Sequence, residues 1–164
     1  MIIVISGGDT FRSREFLRQT VENFKKKRDP EGFNVHRFDA GENNIFELKR
    51  LEGAGGLFGE KRLFIVERFS RIASHPSEIQ QFISERNTNE GNVFCFFIEG
   101  ACPHTALGKE LKSAVYQYAF DALSGQDLTV WVHDRLHALG AAIDPKALDL
   151  FVSFSGNDLW VVSS

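Results

Sequence analysis

Cysteine is scarce in this chain, with only Cys95 and Cys102 present. Two thiols provide no disulfide framework, and such usage fits a reducing cytosol. Cys95 stands in an apolar run, where a buried free thiol is ordinary. An excess of positive charge is also missing: 19 Lys and Arg face 22 Asp and Glu, for a formal net charge of −3. Tight, sequence-independent nucleic-acid binders are usually basic, so the overall charge argues against strong unaided DNA binding while leaving room for a local basic face. No apolar run approaches the roughly 18 residues that suggest a membrane-spanning helix. The opening MIIVISGG is too short for a secretory signal and lacks its charged start. Internal repeats and low-complexity tracts are absent. These absences predict a cytoplasmic protein of one domain, or one domain plus part of another. What is abundant is apolar: 43% of the chain is hydrophobic and 16 residues are Phe, enough for a sizeable core.

Short apolar runs recur along the chain at residues 2–5 (IIVI), 33–38 (FNVHRF), 63–66 (LFIV), 93–98 (VFCFFI) and 115–120 (VYQYAF). LFIV and VFCFFI are apolar throughout, as strands covered on both faces are. The mixed runs FNVHRF and VYQYAF suit sheet edges. Helical faces lie between them: Phe16, Leu17, Val21 and Phe24; Ile45, Leu48 and Leu51; Ile79, Phe82 and Ile83 after Pro76; and a short fourth at 106–111. This alternation predicts an α/β domain, a mostly parallel five-stranded sheet with helices on both faces. After Phe120 the pattern becomes helical. Ser124 is placed to cap a helix carrying Leu128, Trp131, Val132, Leu136 and Leu139, and Gly140 is placed to end it. Asp144-Pro145 opens a second helix and residues 156–160 (GNDLW) a third, which breaks off near Ser164. The expected division is 1–123 and 124–164, in a chain that reads as part of something longer.

The first strand runs into Ser6-Gly7-Gly8-Asp9, where a nucleotide-binding fold cradles phosphate. The phosphate loop requires G-x-x-x-x-G-K-[ST]. Counted from Gly7 the last three positions are Arg12, Ser13 and Arg14, and counted from Gly8 they are Ser13, Arg14 and Glu15. The second glycine and the lysine are both missing, so the loop at Gly7 and Gly8 is degenerate and no nucleotide-binding residue is assigned. Glu67 and Glu99 end the third and fourth strands, where a metal-binding carboxylate of an NTPase would sit; the alternative is solvated strand ends. His133-Asp134-Arg135-Leu136-His137 approaches H-E-x-x-H, but no clear third ligand follows, and helix-surface histidines are the plainer reading. Cys102-Pro103-His104 has a nucleophile beside a base but no orienting acid. Lys25-Lys26-Lys27-Arg28 suits the negative end of a helix dipole, with phosphate contact as the alternative.

One stretch fits none of these patterns: residues 55–62, GGLFGEKR, set Leu57 and Phe58 among three glycines. Together with GDTFRSRE at 8–15, KKRDPEGFNVHRFD at 26–39, LFGEKRLFIVE at 57–67, LSGQDLTVWV at 123–132 and SGNDLW at 155–160, it resembles the delta subunits of bacterial DNA polymerase III clamp loaders. These stretches come in family order and span nearly the whole chain.

The resemblance implies an AAA+-like first domain that has lost ATP binding, then a helical lid, then a collar that assembles the loader. It implies that Leu57 and Phe58 plug into a hydrophobic pocket of the ring-shaped sliding clamp. The partners would be that clamp and the other loader subunits, with DNA met weakly or through the assembled complex. No cofactor, metal or catalytic residue is implied; the subunit is a non-catalytic part of a polymerase holoenzyme. The chain departs from the family in the glycine run Gly53-Ala54-Gly55-Gly56, in an incomplete lid whose Val161-Val162-Ser163-Ser164 does not continue the expected helix, and in lacking the collar. Two other readings remain open at this point: a small nucleotide-dependent enzyme using Gly7, Gly8, Glu67 and Glu99, and a salt-dependent nucleic-acid-binding module using Lys25–Arg28.

Overall fold

The structure is a computed structural model that describes residues 1–54, 61–69, 76–87, 91–102 and 106–164. The chain divides into two compact units, Met1–Phe120 and Asp121–Ser164.

In the first unit the elements alternate: β1 (Ile2–Gly7), α1 (Thr10–Arg28), β2 (Val35–Asp39), α2 (Ile45–Gly53), β3 (Leu63–Glu67), α3 (Pro76–Asn87), β4 (Val93–Glu99), α4 (Ala106–Lys112) and β5 (Tyr116–Ala119). The strands form one sheet in the order β2-β3-β4-β1-β5, and every pairing is parallel. The mixed runs are the two edges, as their composition predicts. The apolar runs LFIV and VFCFFI are interior strands, buried along both faces.

Strand alternation divides the core in two. Phe64, Val66, Phe94, Phe96 and Ile98 point to one face, where Leu48 of α2, Phe82 of α3 and Leu111 of α4 cover them. The phenylalanines interlock there: Phe64 stacks on Phe94 at 4.9 Å, and Phe82 meets Phe94 edge-on at 5.0 Å. Leu63, Ile65, Val93, Cys95 and Phe97 point the other way and meet Leu17 and Val21 of α1. Local signals set the helix starts. At α2, Asn44 accepts from the backbone of Phe46 and Glu47 while Glu47 accepts from the backbone of Asn44, a reciprocal capping box.

The second unit contains α5 (Gly125–Ala138), α6 (Pro145–Ser155) and α7 (Leu159–Val162). Its buried apolar side chains are Leu128, Val132, Leu148 and Leu159. Gly140, with φ +74°, closes α5: its N–H donates to His137 and that of Ala141 to Leu136, the two bonds of a Schellman motif. Two expectations are corrected. Leu139 is the C-cap rather than part of the α5 face, and it is 71% exposed because the chain has already left the helix. Val161 and Val162 do continue the last helix, which Asp158 starts by accepting from the Trp160 N–H. Among the described residues no helix is long and apolar enough to cross a membrane.

Candidate functional site

β1 and β4 are neighbours, yet the connections leaving them pass to opposite faces of the sheet. Such a switch point opens a crevice at the carboxyl ends of the strands, where α/β proteins bind ligands. Gly7 and Glu99 are register partners at its mouth. Gly7 donates to the Gly100 carbonyl at 2.8 Å and accepts from the Gly100 N–H at 2.9 Å, while its φ of +132° is a conformation open to glycine.

The N-terminus of α1 follows at once, and its positive end is already answered. The buried Asp9 carboxylate accepts from the Arg12 N–H at 2.9 Å and from Arg12 Nε at 2.6 Å. A capping carboxylate is favourable against the helix dipole, but it stands where a phosphoryl group would need to approach. An incoming triphosphate would meet this negative charge and no lysine. ATP with magnesium should therefore leave the melting temperature unchanged. A site with a dissociation constant tenfold below the ligand concentration would instead stabilise the fold by about 1.4 kcal/mol, which differential scanning fluorimetry resolves.

Glu67 and Glu99, foreseen either as a nucleotide site or as solvated strand ends, are gathered by one residue. Arg14, on α1, pairs with Glu99, lies 4.0 Å from Glu67 and sits over the Phe97 ring at 5.1 Å. Arg37 reaches Glu67 at 3.5 Å. Arg68 follows β3 with φ +55°, a strained conformation for a side-chain-bearing residue, and pairs with Asp39 and Glu42. The crevice, about 510 Å³, thus contains Arg14, Arg68, Asp39, Glu67 and Glu99 as a largely self-compensated set of charges. The sequence signal overlooked was Arg14: the helix leaving β1 passes beside the ends of β3 and β4, so a cation there reaches carboxylates more than 50 residues away.

The other sequence candidates lie apart from this crevice. Lys25, Lys26, Lys27 and Arg28 form the last turn of α1. His133 Nδ1 lies 3.3 Å from its neighbour Asp134, and among the described residues no three His, Cys, Asp or Glu side chains converge to hold a metal. Cys102 donates to the Gly108 carbonyl at 3.7 Å, and burial raises its thiol above the usual range, the opposite of what a nucleophile needs; His104 lies outside the described residues. Burial pushes the Cys95 thiol up to about 12.

Leu57 and Phe58 also lie outside the described residues. The elements on either side of residues 55–60 are firmly tied to each other. Arg62, just before β3, donates to the Leu51 carbonyl at 3.1 Å and to the Glu52 carbonyl, the open acceptors of the last turn of α2. Its backbone donates to the Asn92 side chain at 3.1 Å, and its guanidinium lies over Phe64 at 5.1 Å. The Glu52 carboxylate in turn accepts from Arg86 Nε at 2.9 Å and from Arg86 Nη2 at 2.5 Å. Arg62→Ala should cost roughly 1.5–3 kcal/mol in denaturant melts, the range for a hydrogen bond to a charged group. Arg62→Lys should recover only part of that, because an ammonium lacks the planar fork that spans two carbonyls.

No protein-family model matches the sequence, and no curated protein matches it significantly. Solved structures do match in three dimensions. A DNA clamp loader delta protein from Bacillus subtilis superposes with a TM-score of 0.64 at 19% identity, over 98% of this chain and 50% of that one. The RuvB Holliday junction branch migration motor of Thermotoga maritima gives a TM-score of 0.61 at 8% identity, over 98% and 51%. A DNA polymerase III gamma subunit-related protein from Thermotoga maritima gives 0.52 at 19% identity, over 85% and 48%. The chain therefore spans about half the length of these proteins. At such identities the likeness is one of fold, and that fold is an AAA+-like parallel α/β domain followed by a short helical unit.

Proposed function

We propose that this chain is a delta-type clamp-loader subunit that binds a sliding clamp through Leu57 and Phe58 and holds one interface of the ring open during DNA replication. One observation carries the reading: where the fold offers a nucleotide crevice, the chain's own charges occupy it, whereas its Leu-Phe pair lies in a connection whose flanking elements are braced by Arg62. A domain arranged in this way is suited to transmitting force to a partner rather than to turning over a nucleotide. Residues 1–123 would form the clamp-binding domain and residues 124–164 part of a lid. ATP hydrolysis would fall to other subunits of the polymerase III loader, and DNA would be engaged through the assembled complex, in the cytoplasm. The role is non-catalytic.

The physics of a two-residue plug supports this assignment. Fully burying a Leu and a Phe side chain is worth about 1.5–3 kcal/mol each, and two adjacent anchors in a dry pocket can dominate an interface. The test is binding of the purified chain to a purified bacterial sliding clamp, with the Leu57→Ala/Phe58→Ala variant alongside. Failure of the folded parent chain to bind would overturn the proposal. A salt titration adds a second discriminator: an apolar plug changes little with ionic strength, whereas phosphate contacts through Lys25–Arg28 would weaken steeply.

A further inference from the structure

The face of the sheet that carries Ile65, Cys95 and Phe97 is covered, among the described helices, by α1. Beside α1 this leaves a groove of about 530 Å³, within the roughly 300–1,000 Å³ typical of ligand-binding clefts. Its floor is apolar: Ile3, Phe16, Phe24 and Leu63. Its charged lining is of one sign, for the described residues include Lys27, Arg28 and Lys61 and no carboxylate. All three cations are exposed, and none pairs with a carboxylate among the described residues.

From this pairing of floor and rim we infer that the groove docks a short acidic peptide segment carrying an apolar anchor side chain. An isolated phosphate would have no use for the floor. For a nucleic-acid base the main aromatic platform is taken, since the Phe16 ring packs against Tyr118 at 4.3 Å and Phe120 at 5.5 Å; Phe24 remains, and the oligothymidine arm of the test measures that competitor. A peptide of alternating carboxylate and apolar character satisfies both features, with its anchor on Phe24 and Leu63 and its carboxylates at Lys27, Arg28 and Lys61. This inference is independent of the clamp assignment, since none of these residues belongs to the Leu57-Phe58 pair.

The test uses the full chain and a fluorescent ten-residue peptide of Asp and Glu with one Leu and one Phe. Anisotropy should report saturable binding. Backbone amide shifts in NMR should cluster at residues 3, 20–28 and 61–63. The exposed charge reversal Arg28→Glu/Lys61→Glu should weaken binding at least tenfold, and Asn23→Trp, which fills the groove from the solvent side of α1, should do the same. Leu57→Ala/Phe58→Ala should leave it unchanged, which separates this site from the clamp contact. The inference is overturned if the peptide does not bind, if replacing its Leu and Phe by Ala leaves affinity intact, if the amide shifts fall elsewhere, or if an oligothymidine binds the same residues more tightly.

Discussion

Clamp binding should fall on the order of a hundredfold or more when Leu57 and Phe58 are both replaced by alanine. The expected size follows from the chemistry removed. On the proposed docking each truncation would forfeit most of a large apolar side chain's burial, about 1.5–3 kcal/mol, and two anchors sharing one pocket would not lose affinity additively. Surface plasmon resonance with an immobilised clamp measures the change directly, and it should appear mainly in the dissociation rate. Circular dichroism must show both proteins equally folded. Gly55→Ala/Gly56→Ala is a control of opposite sign: alanine narrows the conformations open to the unbound chain, so binding should strengthen modestly if the bound conformation tolerates a side chain there. If the double alanine variant binds as tightly as the parent, the Leu-Phe pair is not the anchor.

The second large effect belongs to stability. Gly7→Ala should leave the chain largely unfolded at room temperature or lower its unfolding free energy by more than about 3 kcal/mol. A Cβ at this position would lie 2.1 Å from the Phe120 carbonyl oxygen and 2.4 Å from its carbon, backbone atoms that cannot swing aside. The residue also sits at φ +132°, a strain of roughly 1–3 kcal/mol for a side-chain-bearing residue before any clash. Relief would require moving β5, and with it the bonds from Asp9 N–H to the Phe120 carbonyl and from Phe120 N–H to the Ser6 carbonyl. Natural domains have only about 5–15 kcal/mol of stability in total. Gly8→Ala is the matched control: no atom lies within 4 Å of the added methyl, and the change should be small. Thermal melts of the two variants side by side would show whether the close Phe120 backbone, rather than the turn itself, requires glycine at position 7.

The first strand-to-helix turn reads in the sequence as a degenerate phosphate loop, and that reading required only the absence of two residue types. The reason the turn nevertheless keeps Gly7 was not readable. It depends on how closely the Phe120 backbone passes, more than 100 residues later in the chain. Likewise Asp144 is legible as a helix start from its position before Pro145, and it does cap α6, because capping is local. The role of Arg14 is not, because its partners Glu67 and Glu99 come from other strands. Arg62 looks like an ordinary charge after GEK until the fold sets it against the last carbonyls of α2.

The sequence by itself determined the strand and helix order, two of the three interior strands, the two edges and most helix starts. These depend on short-range periodicity and on capping residues a few positions apart, and the hydrophobic effect enforces them in any context that buries one face. It also carried the Leu-Phe motif, which is a statement about residue order. Only the tertiary structure decided the order β2-β3-β4-β1-β5, the self-pairing of the crevice, the bracing by Arg62 and the cation-rimmed groove beside α1. Each of these joins residues far apart in the chain. Their energies exist only once loop closure has brought the partners together, so no local pattern records them.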